Sequence, residues 1–147
     1  MLRATKQHED VLTDVKSALG NWRKFLIAID GRDHAGKSSL ARFLSWQIGM
    51  PTIETDMLLI PEQGRKYRLN DLRNLIDSRF RLNRPVIVEG IFLLELLAKL
   101  KLEFDYLVYV KNQDFEGSCN LQREFAKYEA SCKPHERANF IFSRKEN

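Results

Sequence analysis

One eight-residue run narrows the folds open to this chain more than any other feature: Gly31-Arg32-Asp33-His34-Ala35-Gly36-Lys37-Ser38. It satisfies the pattern G-x-x-x-x-G-K-[ST] at every position. The apolar stretch FLIAID (25–30) runs directly in, and a segment with Leu40, Phe43, Leu44 and Ile48 at the spacing of one helix face runs directly out. A strand feeding a tight loop that opens a helix lets consecutive backbone N–H groups converge on an anion, with the positive end of the helix dipole behind them. The two glycines take angles or close approaches that a Cβ would block. A lysine at position 37 brings an ammonium to β- and γ-phosphates, Ser38 brings a hydroxyl to Mg²⁺, and Ser39 is available to an α-phosphate. The run Gly31, Arg32, Asp33, His34, Ala35, Gly36, Lys37, Ser38 and Ser39 is therefore the expected nucleotide site, with ATP and Mg²⁺ as the expected cofactors.

Short apolar runs alternate with helical patterns along the rest of the chain, as they do where helices cover a parallel sheet. FLIAID (25–30), TIET (52–55), PVIVEG (85–90), DYLVYV (105–110) and ANFIFS (138–143) are the predicted strands. Helices are predicted around Leu72, Leu75, Ile76 and Phe80 with Asn70 as N-cap, over 92–100 and over 120–130. Val11, Leu12, Val15 and Leu19 mark a further amphipathic helix ending near Gly20. The expectation is a three-layer α/β/α P-loop NTPase fold on a five-stranded, mainly parallel sheet. It forms one domain over 1–147, with 1–24 as an N-terminal helical extension and a surface for self-association. Trp22 and Trp46 are read as packing residues.

Composition excludes more than it selects. With 44% hydrophobic and 30% charged residues and no apolar run near the roughly 20 needed to span a bilayer, a soluble cytoplasmic protein without membrane contact is expected. The net charge of +4 suits phosphate-bearing ligands, but there is no run of five basic residues, which argues against a dedicated nucleic-acid binder. Cys119 and Cys132 are read as a reduced pair.

Phosphoryl transfer to a hydroxyl needs a carboxylate that organises the metal and a base near the γ-phosphate. In a parallel sheet both belong at the carboxyl ends of strands. Asp56 follows TIET and Glu89 closes PVIV, so these two acids are the candidates; Glu54 is a weaker one, and Asp30 is better suited to bracing the loop. In PEQGRKYRLN (61–70), Arg65 and Arg68 flank Tyr67 and could grip an anionic acceptor.

The strand and loop, IETDMLL, VIVEGIFLL and QREFAKYEASCKPHERANFIF together resemble the uridine kinase and phosphoribulokinase-like group of P-loop kinases over residues 25–142. The resemblance implies that Asp56 is the catalytic base on the acceptor hydroxyl and that Glu89, with Ser38, holds Mg²⁺ or its waters. It also implies that Arg123, in a lid segment shared with Lys127, reaches the transferring phosphoryl group alongside Lys37. The function expected is an ATP- and Mg-dependent small-molecule kinase with a nucleoside-, sugar- or cofactor-like hydroxyl acceptor. The alternative is a nucleotide-binding module or regulatory NTPase with little or no acceptor phosphorylation. The loop departs from the Gly- and Ser-rich loop usual in the family, since Asp33, His34 and Ala35 occupy its middle.

Overall fold

The computed structural model describes residues 3–145. In chain order the elements are α1 (Lys6–Leu19), β1 (Phe25–Gly31), α2 (Lys37–Ile48), β2 (Thr52–Glu54), α3 (Leu69–Phe80), β3 (Pro85–Gly90), α4 (Leu93–Lys99), β4 (Tyr106–Asn112), α5 (Gln122–Cys132), α6 (Pro134–Arg137) and β5 (Phe140–Arg144). The five strands form one sheet in the order β2-β3-β1-β4-β5, and every pairing is parallel. The three-layer α/β/α expectation is met.

β1 is central and buried along its whole length, which is why its sequence is a continuous apolar run and not an alternating one. Its side chains still divide by the period of two. Phe25, Ile27 and Ile29 enter a core with Val11, Val15 and Leu19 of α1 and Leu40, Ala41 and Leu44 of α2. Leu26 and Ala28 enter a second core with Leu72 and Ile76 of α3, four leucines of α4, and Phe125 and Tyr128 of α5. Each fully buried aliphatic side chain contributes about 1.5–3 kcal/mol through area removed from water.

Helix α1 belongs to the first core. Val11 and Val15 are completely buried, and the Gln7 carboxamide bonds both backbone groups of Ser143 on the edge strand β5, donating to its C=O at 2.6 Å and accepting from its N–H at 2.9 Å. The apolar stripe of α1 is thus used within the chain itself.

Several local expectations are corrected. Helix α3 begins at Leu69 with Arg68 in the N-cap position, so Asn70 lies in the first turn and caps nothing. Leu75 is 46% exposed, because α3 turns Leu72 and Ile76 into the core and Leu75 lies off that row. Trp46 is 79% exposed and Trp22 is 44% exposed. Helix α2 buries Leu40, Ala41 and Leu44, and two further positions turn Trp46 by roughly 200° to the opposite face. Cys119 and Cys132 are both free. Among the described residues, no helix is long and apolar enough to cross a membrane.

Candidate active site

The order of the strands reverses at β1, so the chain opens a crevice at the carboxyl ends of the sheet. The glycine-bounded loop leaves β1 there, and β3 delivers Glu89 and Gly90 in register with Ile29 and Asp30. A Cβ on Gly90 would overlap the Oγ1 of Thr55, which is 1% exposed. This close approach seats the one-turn 3-10 helix Thr55–Leu58, which carries Asp56, against the end of β3.

The first residues of α2 bring the loop's functional groups to the crevice. Lys37 is buried; its Nζ donates to the Arg32 carbonyl at 2.6 Å. Burial pushes the Lys37 ammonium below its ordinary pKa, against the pull of Glu89, Asp30, Asp33 and Asp56. Ser38 Oγ donates to Glu89 Oε1 at 3.1 Å. Burial raises the Glu89 carboxyl, Lys37 and the Ser38 hydroxyl draw it back down, and Asp56 and Glu54 push it further up. A hydroxyl beside a carboxylate suits Mg²⁺, which usually keeps several waters and takes one or two carboxylates along with substrate phosphates. Glu54 is engaged elsewhere, accepting from Arg42 at 2.6 Å.

Asp30 braces the loop as expected. Fully buried, it accepts from the Gly31 N–H at 2.8 Å, the Tyr128 hydroxyl at 2.6 Å and the Leu93 N–H at 3.4 Å. Burial raises its pKa to about 6 in spite of these three donors.

In the middle of the loop, Arg32 turns away from the crevice while Asp33 and His34 stand at its wall. Arg32 bonds Glu129 and Gln122 of α5, and Asp33 accepts from both the N–H and the hydroxyl of Ser118. Arg32 is therefore an anchor to the segment beyond β4, in place of the nucleotide contact expected of it. Asp33 reaches the crevice wall while holding Ser118. His34 has a positive φ of 59° and a largely exposed side chain, edge-on to Phe115. Ala35 is buried in the first core.

Lys37, Ser38, Asp56, Glu89, Thr55 and Tyr67 line a single cavity of about 500 Å³, together with His34, Gly36, Ser39 and Arg144. Tyr67 reaches it through a short antiparallel bridge to Leu59. A second cavity, of about 720 Å³, lies between the first turn of α1, the end of β5 and the start of α2; Gly36, Ser39 and Arg144 line it as well.

Three expected site residues are elsewhere. Arg123 is exposed on α5 and lines neither cavity, since α5 turns Phe125 and Tyr128 inward and Arg123 lies off that row. Arg68 stands at the start of α3. Arg65 lies 4.0 Å above the Phe92 ring and outside the lining of both cavities. The residue that sequence reasoning missed is Arg144. Its signal was available: it is the first basic residue after an apolar strand whose carboxyl end must face the loop.

A five-stranded parallel sheet reversing at the strand that feeds such a loop is an arrangement this chain shares with a solved structure. The structure of a possible uridine kinase from Bacillus stearothermophilus matches it with a TM-score of 0.64 over 93% of this chain and 97% of that one, at 16% sequence identity. Weaker likenesses are TT1252 from Thermus thermophilus (TM-score 0.47, 17% identity, 84% of this chain and 90% of that one) and an uncharacterized protein from Eubacterium ventriosum (0.48, 10%, 82% and 88%). No protein-family model and no curated protein sequence matches the chain.

Proposed function

We propose that the protein is a cytoplasmic, ATP- and Mg-dependent small-molecule kinase that passes the γ-phosphoryl group to a hydroxyl of a nucleoside-, sugar- or cofactor-like acceptor. The observation that carries this reading is the shared cavity: Lys37, Ser38, Glu89 and Asp56 line one space of about 500 Å³. Lys37 binds the β- and γ-phosphates. Ser38 and Glu89 hold Mg²⁺, whose charge, when it is bound, offsets that of the phosphoryl oxygens. Asp56 accepts the proton of the acceptor hydroxyl as its oxygen bonds to the γ-phosphorus and the bond to the ADP oxygen breaks. Tyr67 and Leu59 wall the acceptor side.

The position of Arg123 favours a second reading, a nucleotide-binding module or regulatory NTPase with little acceptor phosphorylation. ADP formation measured with and without a panel of nucleosides, sugars and hydroxylated cofactors separates the two. The kinase reading expects acceptor-dependent ADP formation that Asp56→Asn lowers by roughly 10²- to 10⁴-fold, the usual contribution of a general base, with ATP binding retained. Tight ATP binding without acceptor-dependent turnover selects the second reading. Unchanged ATP affinity in Lys37→Ala overturns both.

A further inference from the structure

We infer that Arg144 grips the phosphate chain of the bound nucleoside triphosphate, the part that family resemblance gives to Arg123; this rests on the nucleotide reading above. Arg144 ends β5, and its register with Asn112 carries it to the same edge of the sheet as the loop. The backbone there is held from two sides. Gln113 N–H donates to the Arg144 carbonyl at 2.8 Å, and Gln7 bonds both backbone groups of Ser143. From this fixed base the side chain lies over Gly36: a Cβ at position 36 would come within 2.9 Å of Nη1 and 3.0 Å of Cδ. Gly36 also has a φ of 101°. The second glycine of the loop therefore leaves room for the guanidinium as well as turning the backbone.

Arg144 lines both cavities and stands where they adjoin, beside Gly36 and Ser39. A chain of phosphates running from one cavity to the other passes this side chain. The smaller cavity sets Asp33, Asp56 and Glu89 against Lys37 and Arg144, so Arg144 is one of the two Lys or Arg side chains that it offers a polyanion. The larger cavity is lined by Arg3, Lys6, Arg144 and Lys145 and by no acid. Among the described residues, no carboxylate pairs with the Arg144 guanidinium, whereas Arg32 and Arg42 are both spent on glutamates. A planar guanidinium can donate to two phosphate oxygens at once, which an ammonium cannot do in the same geometry.

Calorimetric titration with Mg-ATP and AMP tests the assignment in Arg144→Gln, Arg144→Lys, Lys37→Ala and the charge control Arg23→Gln, at the opposite end of β1. The expected result is Mg-ATP affinity lower by roughly 10- to 100-fold in Arg144→Gln, the loss typical of a charge-assisted contact. AMP affinity should change less than about threefold, Arg144→Lys should recover part of the loss, and the thermal midpoint should hold. If Arg144→Gln binds Mg-ATP like the wild type while Lys37→Ala does not, Arg144 has no such role and the nucleotide reading stands. Equal losses for Mg-ATP and AMP also overturn the assignment, because the residue would then act on the nucleoside or on the fold. Wild-type Mg-ATP affinity in Lys37→Ala removes the nucleotide reading and this inference with it.

Discussion

Arg32 and Glu129 face each other through two parallel hydrogen bonds, Nε to Oε2 and Nη2 to Oε1, both 2.9 Å long. The remaining guanidinium nitrogen donates to the Glu116 carbonyl at 3.0 Å and to Gln122 Oε1 at 2.9 Å, and Tyr109 adds its hydroxyl to Glu129 at 3.1 Å. The side chains in the middle of the loop are fastenings. Arg32 and Asp33 tie the loop to the stretch from Glu116 to Glu129.

Arg32→Ala should loosen that segment without unfolding the sheet. The pair is about a quarter exposed on each side, so solvent screening reduces its worth, and a loss of about 1–2 kcal/mol is expected in urea denaturation. Amide exchange should accelerate across 116–129 and stay slow in β1 and β3. The effect has a pH signature. Arg32, and to a lesser degree the Tyr109 hydroxyl, hold the Glu129 carboxyl below its ordinary range. Its stabilisation is present above that range and lost as pH falls through the depressed value, a loss that Arg32→Ala should not show.

Asp30 gives the opposite slope. Its pKa rises from an ordinary 3.8 to about 6 because it is fully buried. The folded state therefore binds the proton more tightly, and the group's favourable contribution is complete below pH 4 and lost as pH rises through 6. Two units correspond to roughly 3 kcal/mol. Asp30→Asn keeps an acceptor for the Gly31 and Leu93 amides and should abolish this decline, remaining no less stable than the wild type at pH 7.5. Chemical denaturation at half-unit pH steps between 4 and 7.5 measures the decline in the wild type and its absence in Asp30→Asn.

Gly90→Ala should be costly, since the new methyl meets the Thr55 hydroxyl and the 3-10 turn bearing Asp56 must move. Overpacking of this kind costs about 1–3 kcal/mol. Removing the obstructing atoms in Gly90→Ala/Thr55→Ala should return part of the stability, a non-additivity that thermal melts of the cycle report. Under the kinase reading, turnover should fall by more than the folded fraction does.

What could be read from the sequence followed how local its cause was. β1 and β3 are buried on both faces, so their apolar runs gave their positions within a residue. β5 began two residues later than expected because Asn139 is occupied at the mouth of the strand, donating its N–H to the Leu107 carbonyl and accepting the Leu107 N–H on its side chain, each at 2.8 Å. That Lys37, Ser38, Asp56 and Glu89 line one cavity was legible because strand ends and motif spacing fix their positions. Arg123 came from the family resemblance, and helical spacing does not say which face of α5 meets the loop. That choice is made by Phe125 and Tyr128 packing under α4 and by Arg32 reaching Gln122 and Glu129. The seat of α1 on β5 joins residues 136 apart in sequence, and no local pattern encodes it.

That seat gives the last prediction. Gln7 bonds Ser143 as a neighbouring strand would, with one donor and one acceptor, and so covers one rung of the exposed edge of β5. The next residue, His8, is buried edge-on between Phe43 and Phe142 and accepts the Thr5 N–H at 3.0 Å. Gln7→Ala removes both bonds at a site only partly open to water, so a loss of about 1–2 kcal/mol is expected, with faster exchange at the Ser143 amide. Burial lowers the His8 pKa, so its neutral form is the stabilising one. This contribution holds above the ordinary value of 6.5 and is lost as pH falls through the lowered one. Acid should therefore release α1 from β5 more readily in Gln7→Ala than in the wild type. Amide exchange over α1 and β5 at pH 5 and 7.5 measures the difference; equal pH dependence in the two proteins would show that Gln7 and His8 do not share the work of holding the helix.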